Sequence, residues 1–439
     1  MPRLPNLLGT RRGRLFAFFL LYVTEGLPLG FTATAVATQM RRQGVEPSEV
    51  GVFIGMLYLP WAWKWLVGPV VDLIYSERYG RRRLWIVCAQ SLMAFGLLAG
   101  MGIDFVSQIG LFTGLVLLIN TFGAIQDVAI DALAVGVLEE DERGFANGLM
   151  FGGAYAGQAL GGSGVLYLSG WIGFDSSFVF VAALVLIVTV FVVLPMREAA
   201  SPPDQSVAGP RGKAILGELK TYGLDALRAF FGTRAAFLAA VFALLPCGAY
   251  SLSLVLQTTL AVELGLTDTD IGTLALLSTI VSGLCCVIGG YLSDRLGRRK
   301  MLALYIVCTA IPTLALGVIM QREGWIMPID PTMTDRPEVP AILVTSFWTA
   351  CIAYSVFSGL LYGTRTALFM DVCTPAVAAT QFTAYMSLIN LAIWYTSTWQ
   401  GFAISNLGYP TTLAIDAAAG VLCLAALPWI RKVKSVRAA

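Results

Sequence analysis

Asp127 and Asp131 stand four residues apart in Leu111–Leu138, LFTGLVLLINTFGAIQDVAIDALAVGVL, a run that otherwise reads as a helix in lipid. At 3.6 residues per turn both carboxylates fall on one helix face. A charge at the centre of a membrane helix costs roughly 2.5–3.5 kcal/mol on insertion scales. Two on one face therefore mark a water- or protein-lined surface. The same search for charge at depth finds Glu25, Lys64 and Arg365. At 1.5 Å per residue, Glu25 lies roughly 16 Å from residue 14 and Lys64 roughly 12 Å from Asp72. Asp127 is about 14 Å from residue 136, and Arg365 about 9–10 Å from the end of its helix. Four helices thus carry charge at one level and could present it to one cavity.

Three acids face two bases in this set, so Lys64 and Arg365 leave one carboxylate unpaired. Carboxylates one turn apart titrate as a coupled unit. One proton taken up outside and released inside fits symport, with Asp127, Glu25 and Asp131 as the proton-coupling residues. Substrate contacts are expected from Lys64, Arg365, Gln126, Trp394, Asn390 and Tyr22. A buried guanidinium suits a carboxylate or phosphate fork. The alternative is that these acids and bases only lock helices together, Asp131 above all, since it lies nearer the helix end. Histidine is absent, so any proton relay runs through carboxylates.

The elements that must position these residues follow from composition. The chain is 57% hydrophobic and 13% charged, against about 25% charged in soluble domains, which makes it a polytopic, all-α membrane protein. Twelve apolar spans are expected at about 14–39, 50–72, 84–103, 109–136, 144–170, 177–196, 233–262, 270–293, 301–320, 340–372, 380–405 and 411–430. Most of the 29 Lys and Arg fall at the ends that share a side with the termini. Only Arg41, Arg42, Arg322 and Arg336 lie opposite, which predicts cytoplasmic N and C termini. The first span is too long for a signal peptide and carries Glu25 at its centre. The eight cysteines (88, 247, 285, 286, 308, 351, 373 and 423) lie in or beside apolar spans, without metal spacing. Neither metal nor cofactor is expected.

The longest polar connection, 197–232, separates an N-terminal half, 1–196, from a C-terminal half, 233–439. It opens on the Pro/Ser/Gly-rich Ala200–Gly212. Then Ile215, Leu219, Tyr222, Leu227 and Phe230 recur at near-helical spacing, as in an amphipathic helix on the membrane surface. The halves echo each other. Gly68-Pro-Val-Val-Asp72 precedes Tyr79-Gly80-Arg81-Arg82-Arg83, and Gly290-Tyr-Leu-Ser-Asp294 precedes Leu296-Gly297-Arg298-Arg299-Lys300. In each copy an acid ends a helix, a glycine turns the chain and bases open the next helix, which reads as a charge clamp. Asp371 ends span ten much as Asp131 ends span four. Asp72, Gly80, Arg81, Arg82, Asp294, Gly297, Arg298 and Asp371 are the expected gating set. Duplicated halves around a central site are transporter architecture.

The acid–Gly–Arg/Lys loops resemble the signature of the major facilitator superfamily. Within it, Glu25-Gly-Leu-Pro-Leu-Gly30, Lys64 with Pro69 and Asp72, Gly80-Arg-Arg-Arg-Leu-Trp85, Gln126-Asp-Val-Ala-Ile-Asp131, Glu142-Arg-Gly144 and Ala379-Thr-Gln-Phe382 resemble the AmpG-type muropeptide permeases. That group also takes in acetyl-CoA transporters and some siderophore permeases. The resemblance implies a twelve-helix bundle of two pseudo-symmetric six-helix halves in a bacterial cytoplasmic (inner) membrane. It would import a bulky polar solute, anhydromuropeptides first, a siderophore or acyl-CoA-type anion second. Glu25, where the group has a neutral residue, and Arg365 depart from its pattern. A drug/proton exporter is disfavoured, because span five lacks the proline and span four the arginine of those antiporters.

Span five carries Gly144, Gly148 and Gly152, then Gly153, Gly157 and Gly161, two ladders expected to let helices approach closely. Gly26, Pro28 and Gly30 are expected to kink or loosen span one beside Glu25. Trp61, Trp63 and Trp65 flank Lys64. Tyr385, Trp394, Tyr395, Trp399 and Gln400 mark span eleven, where aromatic faces beside amides suit sugar rings or line the membrane interface. No nucleophile–base pair, metal motif or nucleotide loop appears, so the chain is not expected to be an enzyme. Protons, a small-molecule substrate and the bilayer are the expected partners, nucleic acid is not, and the chain is expected to work as a monomer.

Overall fold

The computed structural model describes residues 6–74, 76, 78–139, 142–198, 217, 220, 221, 223, 224, 234–253, 255–373 and 378–430. Helices form nearly all of this, and no strand occurs among the described residues beyond an isolated bridge at Ser76–Gly80. Large apolar side chains stand on the outside, Phe95 at 71% and Val287 at 74% exposure. That is the surface expected against lipid rather than water. Among the described residues, eight helices are long and apolar enough to cross a bilayer: Arg11–Arg42, Arg83–Gly100, Ile109–Val137, Phe174–Val193, Asp268–Leu296, Arg298–Arg322, Ala341–Val372 and Tyr409–Trp429. They are spans one, three, four, six, eight, nine, ten and twelve.

The other four spans are interrupted or polar. Span two runs Pro47–Trp63, tightens into a 3-10 turn at Lys64–Leu66 and resumes at Gly68–Leu73. Span five runs Arg143–Ala159, widens into a π turn at Leu160–Gly164 and ends as Val165–Ile172. Span seven, expected as one helix over 233–262, is Arg234–Leu244 and Val255–Glu263, with the α-helix interrupted between them by an irregular stretch and a 3-10 turn at Ser251–Ser253. Span eleven is Ala378–Leu407. The amphipathic residues Ile215, Leu219, Tyr222, Leu227 and Phe230 lie outside the described residues.

By contact the chain divides into Met1–Val36 with Trp63–Gly223, and Ala37–Ala62 with Leu224–Ala439. In the first unit, spans one and five meet backbone to backbone. A Cβ on Gly153, Gly157 or Gly161 would strike the carbonyls of Phe19, Val23 and Leu27, and one on Gly26 or Gly30 would strike the backbone of Ala154 and Gln158. The other ladder differs from expectation: Gly144, Gly148 and Gly152 face open space. Span one also differs, because Pro28 and the glycines sit inside unbroken helix. The loosening comes one turn later, in the π turn Phe31–Val36. Pro28 has no N–H, its carbonyl accepts the Thr32 hydroxyl at 2.7 Å, and span one packs closely on span five at this level.

The second unit has its own glycine seam, where Gly359 and Gly363 of span ten meet the backbone at Ser282 and Cys286 of span eight. One of its helix starts carries a side-chain cap. Thr267 and Asp270 form a reciprocal capping box ahead of span eight. Gly297, at φ +98, turns the chain between spans eight and nine. Span two packs here against span eleven, with Gly51 against Gly401 and Gly55 against Trp394.

Candidate functional site

In the first unit Lys64 Nζ stands 2.7 Å from Asp127 Oδ2, with both side chains largely covered. Lys64 reaches this position from the 3-10 turn that ends the first part of span two. The Tyr22 hydroxyl donates to Asp131 Oδ1 at 2.6 Å, so the second aspartate is held by span one. Glu25, one turn beyond Tyr22, lies in the electrostatic range of Asp127, Lys64 and Asp131. Its Oε2 is buried without a hydrogen-bond partner among the described residues. Asp127 is buried and Asp131 exposed, so one helix turn leads from an accessible carboxylate to a covered one. Three carboxylates here share one ammonium.

Gln126 sits on another face. Its Nε2 donates to Thr24 Oγ1 at 3.1 Å, where Gln90 Nε2 also arrives at 2.9 Å, and Gln90 Oε1 accepts from Thr189 at 2.7 Å. These buried amides and hydroxyls tie spans one, three, four and six together. The Nε2 of Gln126 is therefore occupied in helix packing, while its Oε1 is buried without a hydrogen-bond partner among the described residues.

The remaining expected contacts belong to the second unit. Arg365 is 4% exposed. Its Nη1 donates to the Tyr250 hydroxyl at 2.9 Å, and its guanidinium carbon lies 5.7 Å from the centre of the Tyr362 ring. Its Nε is buried without a hydrogen-bond partner, and no carboxylate pairs with it among the described residues. Trp394 Nε1 is likewise buried and unpartnered. Asn390 Nδ2 bonds back to the Met386 carbonyl at 3.2 Å.

The loop clamps resolve into different partners. In the second copy Arg298 bonds Asp294 at 2.9 Å, Asp371 at 2.7 Å and the Ala367 carbonyl at 2.7 Å. In the first copy Glu198, which sequence reasoning passed over, accepts the backbone N–H groups of Arg82 and Arg83 at 3.0 and 2.6 Å. The Arg82 side chain donates to the Val71 carbonyl at 2.8 Å. Gly80 supplies the turn at φ +93, and the Arg81 Nε is buried. The Asp72 side chain lies outside what is described. Glu142, between spans four and five, takes a fork from Arg14 at 2.6 and 3.0 Å. That hydrogen bond and charge hold its carboxyl below the usual range.

Two further buried groups were missed. Glu263, at the end of span seven, meets Arg41 at 2.7 Å with both side chains covered, and also accepts from Tyr409 at 2.6 Å and the Ile329 N–H at 3.1 Å. Asp416, inside span twelve, accepts from two backbone N–H groups in the span-seven break. Arg41 was counted only as a loop charge, and a lone Asp in TTLAIDAAAG gives no spacing to read.

The sequence profile of the Major Facilitator Superfamily matches residues 15–397 and 238–438. The chain belongs to the major facilitator superfamily. Members of this superfamily are membrane transporters, and this chain is a non-enzymatic, multi-pass one that takes a small-molecule substrate. It is 25% identical over 413 residues to the anhydromuropeptide permease of Escherichia coli (strain K12), covering 92% of this chain and 76% of that one. Among solved structures, it superposes on the nucleoside transporter NupG with a TM-score of 0.69 at 14% identity, over 96% of this chain and 100% of that one. The D-xylose-proton symporter gives 0.67 at 13% identity, over 96% and 98%. These likenesses carry the fold: a twelve-helix bundle of two pseudo-symmetric halves.

Proposed function

We propose that this transporter imports a bulky, anionic polar solute together with protons, and that anhydromuropeptides are the solute class. The observation that carries the reading is the set Glu25, Lys64 and Asp127, with Asp131 held by Tyr22. A covered surplus of carboxylate over ammonium is stabilised by binding protons, because each unpaired buried charge is costly. Asp131, the exposed member, receives the proton from water, and Asp127 and Glu25 take it further in. Arg365, which lacks an internal counter-ion among the described residues, takes the anionic group of the solute. The likeness to the anhydromuropeptide permease supports the solute class. It also supports a bacterial inner membrane, where recovered wall fragments would enter the cell, and the Lys/Arg bias of the connections favours both termini in the cytoplasm. Transport would proceed by alternating access, with 1–196 and 233–439 as its two six-span halves and Asp294, Arg298 and Asp371 as one clamp.

The test is uptake by proteoliposomes of labelled anhydromuropeptide under an imposed inward proton gradient. Accumulation that collapses with a protonophore supports the reading. Accumulation of a siderophore or an acyl-CoA instead would replace the solute class while keeping the coupling. Efflux of hydrophobic cations in exchange for protons would overturn both.

A further inference from the structure

The break in span seven has an unusually complete set of partners. Pro246 supplies no N–H, and Gly248, at φ +82, turns the chain away from helix. The next four backbone N–H groups then need acceptors in a place where water cannot serve. Gly248 N–H donates to the Gly420 carbonyl at 3.1 Å, and Ala249 N–H to the Thr309 hydroxyl at 3.1 Å. Tyr250 and Ser251 N–H both donate to one oxygen of Asp416, at 2.9 and 3.0 Å. The other oxygen of Asp416 accepts from Gln400 Nε2 at 2.8 Å. Asp416 is 2% exposed and has no cation among its described partners. It is therefore a carboxylate with one oxygen given to the backbone of the broken helix and the other to Gln400.

What that shape delivers is Tyr250. The residue that Asp416 holds by its backbone places its hydroxyl 2.9 Å from Arg365 Nη1. The remaining edge of Arg365, its buried and unpartnered Nε, is left to bind something else. Ser253, three residues on in the 3-10 turn Ser251–Ser253, meets the Tyr354 hydroxyl at 3.3 Å, so the break is fixed at a second point.

We infer that Asp416 is a positioning residue that sets the anion specificity of the transporter. It pins the middle of span seven so that Tyr250 orients the Arg365 guanidinium toward a carboxylate or phosphate of the solute. Asp416 touches no solute itself. The inference rests on the reading that Arg365 receives the anionic group, and it adds the two residues that make that guanidinium selective.

The experiment compares an anhydromuropeptide bearing free carboxylates with the same molecule amidated, in the full-length purified protein. Binding, uptake KM and Vmax are measured for wild type, Tyr250→Phe, Asp416→Asn and Asp416→Ala. A hydrogen bond to a charged group is worth enough that its loss weakens binding about tenfold. Tyr250→Phe and Asp416→Ala should raise KM for the carboxylate form by about that factor and leave Vmax and the amidated form little changed. Asp416→Asn keeps an acceptor for the two N–H groups, and Gln400 Oε1, now buried without a partner, can accept from the new amide after a flip. It should stay within about threefold of wild type. Hydrogen–deuterium exchange of the peptide spanning Pro246–Ser253 should speed up in Asp416→Ala and not in Asp416→Asn. Equal weakening of both probes, or loss of function in Asp416→Asn as complete as in Asp416→Ala, would overturn the inference. If wild type binds neither probe, the solute class fails, and the positioning role still stands or falls on the exchange measurement.

Discussion

Lys64 and Arg365, both largely covered, stand in contrasting surroundings. Lys64 sits among carboxylates, bonded to Asp127 and in the range of Glu25 and Asp131. Arg365 sits among phenols, bonded to Tyr250 and beside Tyr362, with no carboxylate partner among the described residues. The first arrangement has more acid than base and suits the uptake and release of protons. The second has base without acid and suits an anion that arrives from outside the protein. The side chains fit the division: a lysine is a compact charge that a carboxylate can neutralise, whereas the guanidinium fork matches carboxylate and phosphate geometry.

The comparison breaks most visibly at Asp127. Asp127→Asn should abolish concentrative uptake while solute counterflow persists in part. A variant that still accumulates solute like wild type would remove the coupling role. Next in size, Arg365→Ala should weaken a carboxylate-bearing solute by tenfold or more, roughly the value of a charge-assisted pair, and a neutral analogue far less. Arg365→Lys should not restore it, since the ammonium lacks the fork. Equal losses for both solutes would make Arg365 a packing residue. A smaller effect is expected from Tyr22→Phe, which removes the 2.6 Å bond to Asp131 but no charge. The pH profile of uptake should shift with its maximum rate within a few fold of wild type, roughly the worth of one neutral donor. An unmoved profile would separate Asp131 from the proton path.

The smallest effect tests a pair outside both sets. Arg14 holds the Glu142 carboxyl below its usual range, so this bond stabilises the fold above the unfolded-state value and is lost as pH falls through the folded one. Wild type should therefore lose thermal stability on acidification below about pH 4.5, with part of that loss absent in Glu142→Gln. Identical melting curves for the two proteins across that range would show that the pair contributes nothing.

How far the sequence reveals these sets depends on what kind of order carries them. Hydrophobic runs of about 20 residues mark every span, and counting along helices puts Lys64 and Asp127 at one depth, where they do bond. Spacing alone does not tell which face meets what. The ladder at Gly144, Gly148 and Gly152 has the same period as that at Gly153, Gly157 and Gly161, yet only the second meets a helix. Gln126 looks like a site residue beside Asp127, but 100° of rotation turns it into the packing between helices. The break in span seven had a signal in Pro246 and Gly248, which averaging over a whole apolar span hides. Asp416, Glu263 and Arg41 had none, because the groups they meet, Tyr250 and Ser251 for Asp416 and each other for Glu263 and Arg41, lie at least 165 residues away in the chain.

The seam between spans one and five has a mechanical consequence. Where two backbones touch over several turns with no side chain between them, neither helix can roll about its own axis or slide by a fraction of a turn without colliding. Tyr22 and Glu25 ride on one side of that contact, so span five is their rigid rail. Under the proposed coupling, a proton arriving at Glu25 would not be answered by twisting span one alone. The response has to be carried by the welded pair moving as one lever, with the give taken up at the π turns Phe31–Val36 and Leu160–Gly164, where both helices already depart from regular geometry.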